Sequence, residues 1–239
     1  MFNASDLRCD LLAMGLQPQD TLLVHSSMKS IGDVENGADT VLDVFMEYFG
    51  KEGLVVFPTL TYSIVNTETP RYDVKNSPCS TGILPELFRQ RQGVIRSLHP
   101  THSLAAYGRD AAAFVAGHEK FDTPAAVGSP WWRLLERQGK ILFIGTGISC
   151  NTFLHGMDEW LELPGMRTES TQPLEVLDYN GNVIPSPQHR HCNPRNAYYG
   201  TLGELFMKYN ALTTGRLGDA ACHILECERV AEAFNYHIN

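Results

Sequence analysis

No stretch of this sequence approaches the eighteen or more consecutive apolar residues of a membrane-spanning helix. The opening Met1-Phe2-Asn3-Ala4-Ser5-Asp6 has neither the basic start nor the apolar run of a secretion signal, so a cytoplasmic location is expected. The six cysteines (Cys9, Cys79, Cys150, Cys192, Cys222, Cys227) include no C-x-x-C pair, which argues for reduced, mostly packed thiols and not a disulfide framework. Positive charge is also scarce: 19 Lys and Arg against 27 Asp and Glu leave a net charge of −8, which speaks against a nucleic-acid partner and suits a cationic ligand better. No repeat, low-complexity tract or long linker interrupts the chain. What is present is 239 residues, 43% of them hydrophobic, enough to bury a full core. One domain over 1–239 is expected.

Strand and helix patterns alternate along the chain. Buried strands are expected over 21–24, 53–60, 103–107 and 140–147, the last being the most apolar. Helical spacing runs from Gly37 to Gly50 through Val41, Leu42, Phe45 and Phe49. Further helices are expected over 82–92, 109–116, 129–138, 202–209 and 220–234, with Ser129-Pro130 reading as an N-cap followed by proline in the first turn. Residues 174–184 form a hairpin around Asn180-Gly181. Residues 59–79, punctuated by Pro70 and Pro78 and without a clear period, are expected as a long loop or flap. The class is α/β: a mixed, mostly parallel central sheet flanked by helices, with an added antiparallel hairpin.

Several segments carry chemistry. A helix starting near Asn151 and Thr152 places His155 and Asp158 on one face. A carboxylate bonded to one imidazole nitrogen fixes the tautomer and makes the other nitrogen a better base. Glu159, one residue further on, competes for that role. In isolation such a pair is more often a satisfied structural histidine, but its position just past a buried strand is where α/β proteins place their sites. The His25-Ser26-Ser27-Met28-Lys29-Ser30-Ile31-Gly32 segment leaves a strand and offers hydroxyl and N–H donors to a phosphate or carbonyl oxygen. It lacks the G-x-x-x-x-G-K-[ST] pattern of a nucleotide triphosphatase. Arg96-Ser97-Leu98-His99-Pro100-Thr101-His102-Ser103 concentrates polar groups ahead of a strand, where a solvated loop is the plain alternative. His189-Arg190-His191-Cys192 has metal-ligand types but no matching second half, so no metal is expected. Cys150 stands too far from His155 for a nucleophile pair.

In their order, these pieces make the chain resemble the aminoglycoside 3-N-acetyltransferases, also called the antibiotic N-acetyltransferase family. The matching pieces are the His25–Gly32 segment, Phe57-Pro58-Thr59, the 82–89 run, the Arg96 to Ser103 segment, Ser129-Pro130, the stretch from Ile144-Gly145 through His155 and Asp158, and Arg216-Leu217-Gly218-Asp219-Ala220. The resemblance implies acetyl-CoA as donor, no metal, and direct transfer to an amino group, the 3-amino group of the 2-deoxystreptamine ring of an aminoglycoside. It makes His155 the general base, with Asp158 or Glu159 as its partner and Thr152 near the reacting carbonyl. It places His25, Ser26, Ser27, Met28, Lys29 and Ser30 along the donor, with Arg96, Ser97 and Ser103. The family usually has glutamate where this chain has Asp158, which leaves the partner of His155 open. For a cationic acceptor, Asp122, Glu159 and Glu162 are the acidic candidates, with Tyr62, Trp131 or Trp160 offering ring surface to a sugar face. The chain is short for a resistance enzyme of this family, which makes the acceptor the least constrained element. Two alternatives stand: a different amine or amino-sugar acceptor, and a CoA-binding module without transfer. A small-molecule partner and a homodimer are expected; nucleic acid and membrane are not.

Overall fold

In the computed structural model, which describes residues 1–192 and 195–238, the strands are β1 (Thr21–Ser26), β2 (Leu54–Pro58), β3 (Arg71–Asp73), β4 (Ile95–Arg96), β5 (Leu104–Gly108), β6 (Lys140–Ile144), β7 (Glu175–Leu177), β8 (Val183–Pro185), β9 (Leu212–Leu217) and β10 (Ala220–Glu226). The helices are α1 (Ala4–Ala13), α2 (Ala38–Phe49), α3 (Ile83–Phe88), α4 (Ala111–Val115), α5 (Pro130–Glu136), α6 (Phe153–Trp160), α7 (Asn196–Thr201), α8 (Gly203–Lys208) and α9 (Cys227–Ile238). Seven strands form one sheet in the order β4-β5-β2-β1-β6-β10-β9. Its centre, β2-β1-β6, is parallel, as expected of the three most apolar runs, which are buried on both faces. The flanking pairs are antiparallel, so five of the seven strands share one direction.

Each face of this sheet is covered by its own apolar layer. Leu22, Val24, Val55, Phe57, Leu142 and Ile144 meet α1, α2 and α3 on one side. Leu23, Val56, Ile141 and Phe143 meet α5, α6 and α9 on the other. The alternation along each strand sends neighbouring residues to opposite layers. Ser129 caps α5 by accepting the Trp132 N–H, with Pro130 in the first turn, as the sequence indicates.

Three of the expected elements come out differently. β1 continues through His25 and Ser26, which pair with Phe143 and Ile144, so this part of the expected loop is strand. Residues 59–79 are not structureless: β3 lies parallel to β7, and with the 174–184 hairpin it makes a second, three-stranded sheet around Tyr72 and Val176. The helix expected over 220–234 is strand up to Glu226, where β10 pairs β6 and β9, and becomes helix only at Cys227.

Candidate active site

β1 and β6 end side by side, with Ser26 paired to Ile144, and the chain leaves both strands toward the same end of the sheet. A cleft of about 540 Å³ opens there, lined by residues that include His25, Ser26, Tyr62, Thr146, Thr152 and His155. This is the location at which α/β sheets generally hold ligands.

His155 sits in the first turn of α6, where its N–H is accepted by the Thr152 carbonyl. Its Nδ1 lies 3.1 Å from the Tyr199 hydroxyl, and that hydroxyl donates in turn to Asp158 Oδ2. The other oxygen of Asp158 accepts from Arg195 Nη1 at 3.0 Å. Because the tyrosine proton points to the carboxylate, its oxygen accepts from His155, which assigns the proton to Nδ1 and leaves Nε2 as the free lone pair. Asp158 therefore acts on His155 through Tyr199 and not by a direct bond. Burial, reinforced by the nearby His191, lowers the His155 pKa to about 3, so the ring is neutral. Burial raises the Asp158 pKa, against the hydrogen bond from Tyr199 and the charge of Arg195. Burial and the Asp158 carboxylate push Tyr199 far above the ordinary phenol range, so it keeps its proton.

Glu159 turns the other way. Its Oε1 accepts the Ala125 N–H at 3.0 Å and lies 2.6 Å from His191 Nε2. The His191 ring in turn packs against His155, with centroids 4.8 Å apart. The two carboxylates weighed as alternative partners of His155 thus each reach it through an aromatic ring. His102 also lines the cleft and stands 5.2 Å from His191 and 5.9 Å from Tyr62 by ring centroids.

Of the residues assigned to the donor, His25 and Ser26 line the cleft. His25 stacks on Phe143 at 4.9 Å, and burial lowers its pKa to about 3. The buried Ser26 Oγ has no hydrogen-bond partner among the described residues. Ser27, Met28, Lys29 and Ser30 form the start and body of a short 3-10 turn, Met28–Ile31. Ser30 pins that turn by bonding Ser27 Oγ at 2.9 Å and the Gly145 carbonyl at 3.3 Å.

Arg96, Ser97 and Ser103 are not in the cleft lining. The guanidinium of Arg96 is buried, donating to the carbonyls of Thr59, Val74 and Ser77 and lying 4.9 Å over the Tyr72 ring. Ser103 bonds Thr59, and Ser97 bonds Leu104 and His118. Together they tie the small sheet to the large one. Among the acceptor candidates, Tyr62 lines the cleft, whereas Asp122 and Glu162 lie in a separate groove of about 370 Å³. Trp160 donates to the Ala125 carbonyl and packs on Phe153 and Trp132, and Trp131 is buried in the core. Sequence reasoning missed Tyr199 and Arg195, which come from a helix it did not delimit. It weighed His191 only as half of a metal site. Among the described residues no cluster of three or more His, Cys, Asp or Glu could hold a metal, and no helix is long and apolar enough to cross a membrane.

Comparison with known proteins accords with this architecture. The family model described as aminoglycoside 3-N-acetyltransferase matches residues 23–238. Aminoglycoside N(3)-acetyltransferase VII of Streptomyces paromomycinus is 31% identical over 185 residues, covering 70% of this chain and 64% of that protein, so the match spans under two thirds of the relative's length. Aminoglycoside N(3)-acetyltransferase IX of Micromonospora chalcea is 30% identical over 264 residues, covering 98% of this chain and 92% of its own. In the solved structures, AAC-IIIb in binary complex with CoASH has the same fold, with a TM-score of 0.87, 23% identity, and coverage of 99% of this chain and 96% of that one. On the family match and these relatives, the chain belongs to the aminoglycoside 3-N-acetyltransferase family.

Proposed function

We propose that this protein, as one domain over 1–239 acting in the cytoplasm, transfers an acetyl group from acetyl-CoA directly to a primary amine, with His155 as general base. The observation that carries this reading is the chain from His155 Nδ1 through Tyr199 to Asp158 and Arg195, which leaves Nε2 as the lone pair available to a ligand. A protein that only bound CoA would have no use for an oriented base. The cleft fits the donor: it has the volume for a pantetheine arm, with His25 and Ser26 of β1 in its lining.

Acetyl-CoA supplies an activated thioester carbonyl; the rest is done by the chain. An ammonium has no lone pair to attack that carbonyl, so the acceptor attacks as the free amine, and His155 Nε2 takes the proton that its nitrogen sheds as the C–N bond forms. Tyr199 accepts from the Nδ1 proton and, backed by Asp158, stabilises the imidazolium as it forms. Base catalysis of this kind is worth about 10²- to 10⁴-fold. Thr152, which lines the cleft next to His155, or a backbone N–H at the start of α6 faces the developing oxyanion, where one donor contributes roughly 3 kcal/mol. The proton held on His155 then serves the departing thiolate.

A base whose pKa has been lowered to about 3 is competent at neutral pH but weak. Proton capture must then be concerted with attack, and an amine arriving as free base is favoured. The test is release of CoA thiol from acetyl-CoA by purified protein, against amines with and without a 3-amino aminoglycoside scaffold. The rate at low acceptor concentration should rise with the free-amine fraction of the acceptor, without an enzyme inflection near 6.5. His155→Ala should lower turnover by about 10²- to 10⁴-fold and leave CoA affinity unchanged. Intact turnover in that variant removes His155 from the base role.

The relatives' names make the 3-amino group of an aminoglycoside the first acceptor to try. A second reading, transfer to a different amine, is favoured by a specific observation: among the described residues, no aspartate or glutamate lines the cleft.

A further inference from the structure

The cleft offers no counter-charge where a polycation would have to sit. Its lining carries Arg190 as its one fixed charge, the neutral imidazoles of His25, His102 and His155, and His191, with no carboxylate among the described residues. The two carboxylates that follow His155 on α6, Asp158 and Glu159, are buried. Asp158 is paired with Arg195 at 3.0 Å and Glu159 with His191 at 2.6 Å, so each is matched by a cationic or protonatable partner before it reaches the cavity. The exposed acids Asp122 and Glu162 lie in the neighbouring groove, which they share with Arg167 and His189.

Arg190 has no such match. Its Nη1 donates to the Val65 carbonyl at 3.1 Å and to Gln172 Oε1 at 3.2 Å, and its Nη2 to the Tyr62 carbonyl at 2.8 Å. All three acceptors are neutral, and among the described residues no carboxylate pairs with it. Of the five N–H groups of a guanidinium, these bonds leave the Nε–H and one Nη2–H. Arginine does not shed its charge on burial as lysine does, so the site holds a fixed cation with donors to spare. That cation is oriented by the segment around Tyr62 and Val65, not by β1 or the Met28–Ile31 turn. It therefore belongs to the part of the cleft that holds Tyr62, His102 and His191, next to His155.

We propose that Arg190 is the anchor for an anionic group on the acceptor, and that the natural acceptor is an amine whose own molecule carries a carboxylate or phosphate, not a multiply charged aminoglycoside. This names the substrate class of the transfer reading above and rests on it. The chemistry is complementary on both sides: two guanidinium N–H groups receive the oxyanion, and the amine is presented to His155 Nε2. The bond formed is the amide and the bond broken is the thioester, with the amine proton passing to His155 and then to the thiolate.

Matched pairs of amines isolate the anion: glucosamine 6-phosphate against glucosamine, 4-aminobutyrate against its ethyl ester, and a 3-amino aminoglycoside as the polycation. The anionic member of at least one pair should have a KM about 10- to 100-fold below that of its neutral counterpart, the range of a charge-assisted hydrogen-bonded pair, and should exceed the aminoglycoside in kcat/KM. Arg190→Gln should erase the gap with KM for acetyl-CoA unchanged, and Arg190→Lys should keep part of it. Equal KM values within every pair, or an aminoglycoside turned over best, overturns the proposal. So does a rise in KM for acetyl-CoA in Arg190→Gln, which would assign the guanidinium to the donor's phosphates. Should no amine be acetylated, the transfer reading falls by itself. Calorimetric binding of the same pairs to the CoA-loaded protein then decides the anchor: binding of the anionic member that Arg190→Gln abolishes sustains it, and no difference within the pairs refutes it.

Discussion

At the residue scale, the grouping of His155 with Asp158 was legible because it depends on local spacing, and the groups that join them were not because they come from far along the chain. His155, Thr152 and Asp158 lie within one helical turn or two, so period alone puts them on one face. Tyr199 reaches His155 from 44 residues away, and His191 reaches Glu159 from 32. No pattern in the sequence announces those meetings. Arg96 shows the opposite error: a guanidinium among serines and histidines suggests ligand binding, yet the carbonyls of Thr59, Val74 and Ser77 absorb its donors. Tyr199→Phe tests the assembled arrangement. It removes the acceptor of the Nδ1 proton while keeping the ring that packs on His155 at 5.1 Å. With tautomer and imidazolium no longer supported, kcat should fall by about 10-fold or more, within the worth of the base itself, and KM for acetyl-CoA should hold. A loss confined to KM would make Tyr199 a packing residue only.

At the scale of elements, the strands and helices that end in a clear stop were readable, and those that abut without one were not. α2 ends at Gly50 and α5 begins at Ser129-Pro130, and both match expectation. β10 runs into α9 at Cys227 with neither Gly nor Pro between them, so Ile224, Leu225, Val230 and Phe234 read as one helical face although the first two belong to a strand. β3 escaped notice because a three-residue strand carries too little pattern, and its partner β7 lies about a hundred positions away. The turn after β6 is the element that fixes the Met28–Ile31 turn. Gly145 has φ +59, and a Cβ there would stand 2.2 Å from Ser30 Cβ and 2.5 Å from its Oγ. Gly145→Ala therefore both strains the backbone and displaces the Met28–Ile31 turn that Ser30 fastens to the Gly145 carbonyl. Stability should drop by about 1–3 kcal/mol in urea titrations, with a rise in KM for acetyl-CoA that exceeds any change in kcat. An unaltered KM would mean that this turn does not meet the donor.

At the scale of the whole molecule, burial of imidazoles couples the site to stability. His118, His99, His102, His191 and His155 follow one another at ring-centroid spacings of 4.5, 6.0, 5.2 and 4.8 Å, a file running from the core to the cleft. Desolvation holds His99, His155 and the separate His25 at about 3, and His102 and His118 well below the ordinary value. In the unfolded chain each titrates near 6.5. Between that value and about 3 the unfolded state binds more protons than the folded one, so stability is complete above 6.5 and is lost as pH falls through the window. Each fully buried imidazole adds roughly 1.4 kcal/mol per pH unit to that slope. Several acting together bring a marginally stable domain to its unfolding limit well above the range in which its carboxylates protonate. Urea midpoints measured from pH 7.5 to 4.5 should therefore fall steeply below pH 6. His99→Asn, which keeps an acceptor for the Thr101 and His102 N–H groups now bonded to Nδ1, should remove one imidazole's share of the slope. A midpoint that stays level down to pH 4.5 would mean that these rings are protonated in the folded state, and the neutral base assigned to His155 would lose its electrostatic ground.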